Sequence, residues 1–296
     1  MKSKNEQYKN LKPGLYLIST PIGNLDDMSY RAVKILERLD LLFAEDTRKA
    51  KQIYSFFEIK FPKNGIHSLN QYNEKKVISK FLPQISHSSI VGYVSDAGTP
   101  SISDPGTFIV NEFRRSRFSI TPIPGASALT TAISVCGFKF DQNNPVVFWG
   151  FAPIKKNSRL LFFNRIKSTS GVSLFFETPH RIDSLLQVCL SVLGRNCMIF
   201  VGRELTKKFE TLWWGKIIEY INYRQEKSLS NSNSLSGEYV IAVETIINEK
   251  KNQNYEEIQN LVNLLKSHLK KSETAAIVSK FFKVSKNEIY NQISKK

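Results

Sequence analysis

The chain has 296 residues, 41% of them apolar and 23% charged, with a formal net charge of +16. That length exceeds what one core usually organises and implies two domains with a small third module, while the charge points to a polyanionic partner even though 30 of the basic residues are Lys in a generally Lys-rich chain. No apolar stretch nears the ~20 residues of a membrane span, residues 1–11 are polar without a leader-like apolar segment, and Cys136, Cys189 and Cys197 are odd in number and widely spaced, so we expect a cytoplasmic protein with buried thiols, no disulfide and no metal.

Taken in order, Leu15-Tyr16-Leu17-Ile18 reads as a strand buried on both faces and ends in a Pro/Gly loop, Ser19-Thr20-Pro21-Ile22-Gly23-Asn24-Leu25. Ala32, Val33, Ile35, Leu36 and Leu39 follow at helical spacing. A second strand, Leu41-Leu42-Phe43-Ala44, delivers Glu45-Asp46-Thr47-Arg48 at its tip, ahead of a helix over residues 49–57. An extended segment near residues 66–69 and a helix over 74–82 lead to the apolar run 90–94. That run opens into Ser95-Asp96-Ala97-Gly98-Thr99-Pro100-Ser101-Ile102-Ser103-Asp104-Pro105-Gly106, an unusual density of Gly, Pro and Asp for one loop. A helix to residue 115 and a strand over 118–123 complete an alternating pattern that implies a parallel sheet. The Pro/Gly loop at a strand's carboxyl end is where open α/β sheets bind ligands; an ordinary tight surface turn is the competing reading.

Pro122-Ile123-Pro124 marks the join to a second half, and Gly125-Ala126-Ser127-Ala128-Leu129 opens a helix closed by Gly137. Strands are expected at 146–151, 172–176, 198–201, 209–213 and 239–244, with helices at 156–166, 179–193 and 216–221. The Ser/Asn run 228–236 reads as a low-complexity loop. Beyond Glu244, a helix over 255–269 and two short ones (273–282, 286–293) resemble a helix-turn-helix without its usual turn glycine. Ten Lys against five Glu in the last 49 residues fit nucleic-acid contact; a helical cap or dimerisation arm fits equally well.

No Walker A loop, G-x-G-x-x-G turn, nucleophile elbow or H-E-x-x-H helix is present, and the four His are scattered. What remains is three Pro/Gly loops, residues 20–25, 95–106 and 124–129, and a fourth strand-end cluster, Glu177-Thr178-Pro179-His180-Arg181. A ligand held mostly by backbone with few charges nearby suits a cationic sulfonium such as S-adenosylmethionine, with a carboxylate at a helix N-terminus such as 125–129.

Five motifs occur in register: Leu17-Ile18-Ser19-Thr20-Pro21-Ile22-Gly23-Asn24-Leu25, Ala44-Glu45-Asp46-Thr47-Arg48, Ser95-Asp96-Ala97-Gly98-Thr99-Pro100, Pro124-Gly125-Ala126-Ser127-Ala128 and Phe176-Glu177-Thr178-Pro179-His180-Arg181. Together they closely resemble the small-subunit ribosomal RNA methyltransferases of the tetrapyrrole-methylase fold family, over about residues 11–244, with the family's helical extension matching 255–296. The resemblance implies two α/β domains (11–123 and 124–247) with S-adenosylmethionine in the cleft between them, a helix-turn-helix-like extension at 255–296, and a homodimer. It also implies 2′-O-methylation of a cytidine in the decoding region of 16S rRNA. By motif, Asp96, Ala97, Gly98, Thr99, Ser127 and Ala128 fall where the family holds the cofactor, and Pro21 and the backbone around Tyr239 line the same cleft.

Methyl transfer to a ribose hydroxyl needs alignment and a proton acceptor. Candidate bases are Glu45, Asp46 and Glu177, with His180 beside them. Asp46 is equally placed to cap the helix that follows it, and Asp96 either binds the cofactor or ties its own loop as an Asx-turn. Arg48 and Arg181 are expected on RNA phosphate, since the guanidinium fork matches phosphate oxygens. Two other functions share the fold: methylation of a tetrapyrrole, and a non-catalytic RNA-binding assembly factor.

Overall fold

A computed structural model describes residues 11–230, 235–246, 249–282 and 284–294. The first half is a parallel sheet of β1 (Gly14–Ile18), β2 (Leu41–Ala44), β3 (Ile66–Ser68), β4 (Ile90–Val94) and β5 (Ile120–Ile123), in the order β3-β2-β4-β1-β5. All four residues of β2 are buried, as a strand covered on both faces requires. Successive side chains part to opposite faces. Tyr16 and Ile18 of β1 join Ile35, Leu42 and Tyr54 in one core layer, whereas Leu15 joins Phe43, Tyr93, Ile109 and Phe113 in the other.

The layers are closed by α1 (Tyr30–Leu36), α2 (Thr47–Phe56), α3 (Glu74–Phe81) and α4 (Thr107–Arg115). Local chemistry sets their starts: the Ser29 hydroxyl accepts from the Ala32 amide at 3.1 Å, and the Asp46 carboxylate accepts from the Arg48 amide at 2.8 Å. Neighbours β1 and β4 send their connections in opposite directions, to β2 and to β5, which leaves a crevice above their carboxyl ends.

The second half contains α5 (Ala128–Cys136), β6 (Val146–Phe151), α6 (Lys156–Lys167), β7 (Gly171–Glu177), α7 (Ile182–Leu193), β8 (Met198–Arg203), β9 (Thr211–Lys216), α8 (Ile217–Ser230) and β10 (Tyr239–Thr245). Its sheet order is β6-β7-β10-β8-β9; β6 and β7 are parallel and the remaining pairings antiparallel. Phe162, Phe163 and Phe175 pack edge to face in its core, with centroids 5.2 to 5.8 Å apart. Both sheets belong to one compact unit, which takes in the described residues to Lys167 and from Gly171 to Thr245.

Several boundaries differ from the sequence reading, among them β5 at Ile120 rather than 118 and α7 at Ile182 rather than 179. The helix expected over 216–221 continues to Ser230, because Ile217, Tyr220, Ile221 and Arg224 repeat at helical spacing as a buried face. Part of the run read as a low-complexity loop is therefore helix, and residues 231–234 lie outside the described residues. Strand β9 begins at Thr211 rather than Phe209, which is 67% exposed in the preceding loop.

The C-terminal helices form a separate unit: α9 (Glu249–Leu265), α10 (Lys271–Phe282) and α11 (Lys286–Ser294) around Ile258, Val262, Ala275, Val278 and Ile289. Helix α9 starts six residues before the expected position. Of the turn 283–285, Lys283 lies outside the described residues. Among the described residues no helix is long and apolar enough to cross a membrane.

Candidate active site

The loops after β1, β4 and β5 are bonded to one another. Thr20 and Gly98 exchange both backbone hydrogen bonds at 2.9 Å, a two-residue antiparallel bridge between otherwise parallel strands. The Ser19 and Thr99 hydroxyls lie 3.0 Å apart, and Thr99 donates onward to the Ala126 carbonyl at 3.2 Å. Gly98 has φ +76°, and a Cβ there would come within 3.3 Å of Ile22. A side chain at that position would be strained and would fill the space between the loops. Gly23 makes the approach to the second half: a Cβ on it would lie 2.3 Å from Cγ of Lys207 and 3.1 Å from the Leu205 carbonyl.

These contacts wall a cavity of about 230 Å³ between the two sheets. One wall is Ala97, Gly98, Thr99 and Asp104, and a second is Ser127 and Ala128 at the start of α5. The facing wall comes from the other half and is largely apolar: Phe151, Phe176, Gly202, Leu205 and Val240, with the backbone around Tyr239. The ring of Phe176 meets Phe148 and Phe151 at 5.0 and 5.5 Å. Ser127 makes no side-chain cap hydrogen bond, so the first-turn amides of α5 keep their donors for an anionic group. A glycine cradle, open amides and an apolar slot together fit the adenosine and methionine ends of S-adenosylmethionine.

More charge stands near these loops than a ligand held mostly by backbone implied. Glu45, Asp96 and Asp104 gather at the carboxyl ends of β2 and β4, with Lys49 among them. The Asp96 amide donates to Glu45 Oε2 at 3.2 Å, and Lys49 Nζ is 2.9 Å from Asp96 Oδ2. Burial pushes the Glu45 carboxyl up from its ordinary pKa, with the Asp96 charge adding to it against the Asp96 amide and Lys49. Asp104 is pushed up to about 6 by burial first, then by the Glu45 charge, and the Ser95 hydroxyl opposes this. Such a field favours a cation beside it.

Of the residues singled out by sequence, Ala97, Gly98, Thr99, Ser127, Ala128 and Tyr239 border the cavity. Pro21 is buried behind it, and its neighbour Ile22 takes the wall position. Asp96 stands outside the wall, paired with Lys49. Asp46 is the N-cap of α2 and pairs with Arg48; those contacts hold its carboxyl at about 2, which makes it a weak base.

Glu177 borders the cavity, but its side chain is 0% exposed and its carboxylate is held by Arg181, the Thr178 amide and Arg159. Arg181 thus points at Glu177 and the Ala152 carbonyl, not outward to phosphate, whereas the Arg48 side chain is 87% exposed. Asp104 and Lys207 were not singled out as wall residues, and Glu238 was expected there through its backbone. Asp104 could have been found, since Asp104-Pro105-Gly106 repeats the Asp-x-Gly pattern of Asp96-Ala97-Gly98 in the same loop. Lys207 and Glu238 meet, at 2.8 Å, across 31 residues of sequence with no local signal. Among the described residues no His, Cys, Asp and Glu cluster has a metal-binding arrangement.

Comparison with known proteins agrees with this geometry. The family model for Tetrapyrrole (Corrin/Porphyrin) Methylases matches residues 14–220. Ribosomal RNA small subunit methyltransferase I of Vibrio cholerae is 34% identical over 97% of this chain and 96% of its own. The protein of that name from Thermotoga maritima is 39% identical over 72% of this chain and 92% of its own. Among solved structures, a cobalt precorrin-4 methyltransferase superposes with TM-score 0.56 at 14% identity, covering 78% of this chain and 94% of that one. Uroporphyrin-III-C-methyltransferase from Thermus thermophilus gives 0.53 at 11% identity, covering 82% and 97%; at such identity these two speak for the fold alone. The chain belongs to the tetrapyrrole methylase family and, within it, to the ribosomal RNA small subunit methyltransferase I enzymes.

Proposed function

We propose that this methyltransferase moves a methyl group from S-adenosylmethionine to the ribose 2′-oxygen of a cytidine in the decoding region of 16S rRNA, acting on the small ribosomal subunit as a cytoplasmic homodimer. The observation that carries the reading is the cavity stitched from three strand-end loops, with Gly98 as its cradle and the α5 amides open at one side. The relatives' name supplies the rRNA, and the +16 charge supplies attraction to it. Residues 11–123 and 124–247 are the two lobes of this reading, and 255–296 its helical extension.

Bound S-adenosylmethionine supplies a methyl group already activated on a sulfonium. Gly98, Thr99 and Ala97 would hold it along one wall, and the helix start at Ser127 and Ala128 would offer its amides to an anionic end. Leu205, Val240 and the Tyr239 backbone exclude water behind it, with Pro21 supporting Ile22. Asp96 keeps Lys49 and Glu45 in register at the mouth. Alignment of oxygen, carbon and sulfur supplies ~7–11 kcal/mol of the barrier when the geometry is good. Arg48, exposed in the first turn of α2, is the group for phosphate. A labelled-methyl assay on immature small subunits, free RNA and a porphyrinogen tests the reading. Label in the ribose of one cytidine supports it, and label only in the porphyrinogen refutes it.

A further inference from the structure

Three carboxylates border the cavity: Asp104, Glu177 and Glu238. Glu177 is shared between Arg159 and Arg181, and Glu238 pairs with Lys207 at 2.8 Å. Asp104 alone of the three has no ion-pair partner among the described residues, and the Ser95 hydroxyl is the neighbour that favours its charged form. The backbone on either side is fixed in an unusual way. Ser101 (φ +70°) and Ser103 (φ +62°) both hold left-handed conformations without being glycine. Ser103 reaches across to β6, where a Cβ on Gly150 would lie 3.4 Å from its hydroxyl. Beneath the loop sits Tyr93 of β4, 0% exposed, whose hydroxyl has no hydrogen-bond partner among the described residues. Burial and the neighbouring charges of Glu45 and Asp104 push that phenol up, so it stays a proton donor.

We infer that Asp104 is the proton acceptor of the reaction, an inference that rests on the proposed ribose methylation. As the ribose oxygen bonds to the methyl carbon, the carbon–sulfur bond breaks with its electron pair left on sulfur. The hydroxyl proton goes to a carboxylate oxygen of Asp104 and from there to solvent. Glu45 from the end of β2, Asp96 from the same loop, Lys49 from α2 and Tyr93 from β4 all face this carboxyl. Glu45 and Asp96 raise its proton affinity, Lys49 lowers it, and burial raises it most, to about 6. A base with that affinity is ionised at neutral pH yet strong enough to take a proton there. Glu45 is then a positioning residue, acting through the charge it places beside Asp104.

The test is the pH dependence of single-turnover methyl transfer to immature small subunits by the full chain, with S-adenosylmethionine affinity measured by calorimetry and melting temperature followed across the same range. For the wild type, the rate rises with pH and levels off above a midpoint near 6. Asp104→Asn lowers the plateau by ~10²–10⁴-fold and abolishes the acidic limb, with cofactor affinity kept within several-fold. Glu45→Gln moves the limb to lower pH, because one like charge is gone. A carboxyl whose folded pKa is raised gives stability below the unfolded value that is lost as pH climbs through the folded one. Asp104→Asn therefore melts progressively higher relative to wild type from pH 4 to 6, independently of turnover. An Asp104→Asn rate within threefold of wild type, or a limb that Glu45→Gln leaves in place, overturns the assignment while leaving the ribose reading intact. Wild-type transfer confined to a porphyrinogen overturns the substrate reading itself.

Discussion

Glu177 was a candidate base by sequence, and replacing it separates a chemical role from a structural one. Its carboxylate accepts from Arg181 Nε at 2.6 Å and from the Thr178 amide at 2.8 Å, and stands 3.5 Å from Arg159 Nη2. Arg159 is only 4% exposed; its other donors reach the Pro153 carbonyl at 2.7 Å and the Ser184 hydroxyl at 2.6 Å. Glu177→Ala removes the one anion near a buried guanidinium. Breaking a buried pair from one side costs ~3–5 kcal/mol, and the two surviving Arg159 hydrogen bonds place this case near ~3. The orphaned Thr178 amide adds about 1 kcal/mol. For a unit of this size each kcal/mol moves the melting temperature by roughly 2–4 °C, so the variant melts about 10 °C lower. Urea and thermal melts without cofactor measure this, and a double-mutant cycle with Arg181→Ala isolates the pair. A melting temperature within about 2 °C of wild type, alongside lost turnover, would refute the structural argument and return Glu177 to the chemistry.

Asp46→Ala removes the α2 cap and costs about 1 kcal/mol at neutral pH. Because Arg48 depresses the Asp46 carboxyl to about 2, that contribution exists above its ordinary value of 3.8 and fades as pH falls towards 2; melts of variant and wild type converge there. Gly23→Ala places a methyl 2.3 Å from Lys207 Cγ and 3.1 Å from the Leu205 carbonyl, and overpacking of ~1–3 kcal/mol spreads the cavity, so calorimetry finds cofactor affinity reduced by tenfold or more. Raising salt from 50 to 200 mM weakens RNA binding by ~10³-fold or more if six phosphates are contacted, and leaves cofactor affinity nearly unchanged. A salt-independent RNA affinity would show that the basic surface is not the contact.

Much of the fold was readable because strands in both halves carry apolar runs, which announce themselves. The strands at 41–44, 90–94 and 146–151 coincide with the expected ones. Helix α8 was cut short because Ser and Asn in its last turns look like loop, while the residues that hold it, Tyr220 and Arg224, earn their places through contacts distant in sequence. Arg224 pairs with Asp183, 41 residues away, at 2.7 Å. In the same way the loop motifs located the cavity, but not the state of its acids. Whether Glu177, Asp46 or Asp104 holds an available carboxylate depends on Arg159, Arg48 and Ser95 in three dimensions, and the sequence lists all of these as ordinary polar residues.

The charge distribution divides the labour of recognition. A +16 chain draws a polyanion from several ångströms beyond its surface, within the ~8–10 Å that physiological salt allows. At the carboxyl ends of β2 and β4 the sign reverses, because Glu45, Asp96 and Asp104 outnumber Lys49. Phosphates are repelled from that point, and a sulfonium is attracted to it. On the proposed reading, with phosphates held by exposed groups such as Arg48, the part of a nucleotide that can approach the acids is its uncharged sugar, and of the sugar's oxygens those bearing a proton would gain a hydrogen bond there. On the proposed ribose reading, the acidic cluster in a basic protein would favour a ribose hydroxyl over its flanking phosphates, with the inferred base Asp104 among those carboxylates.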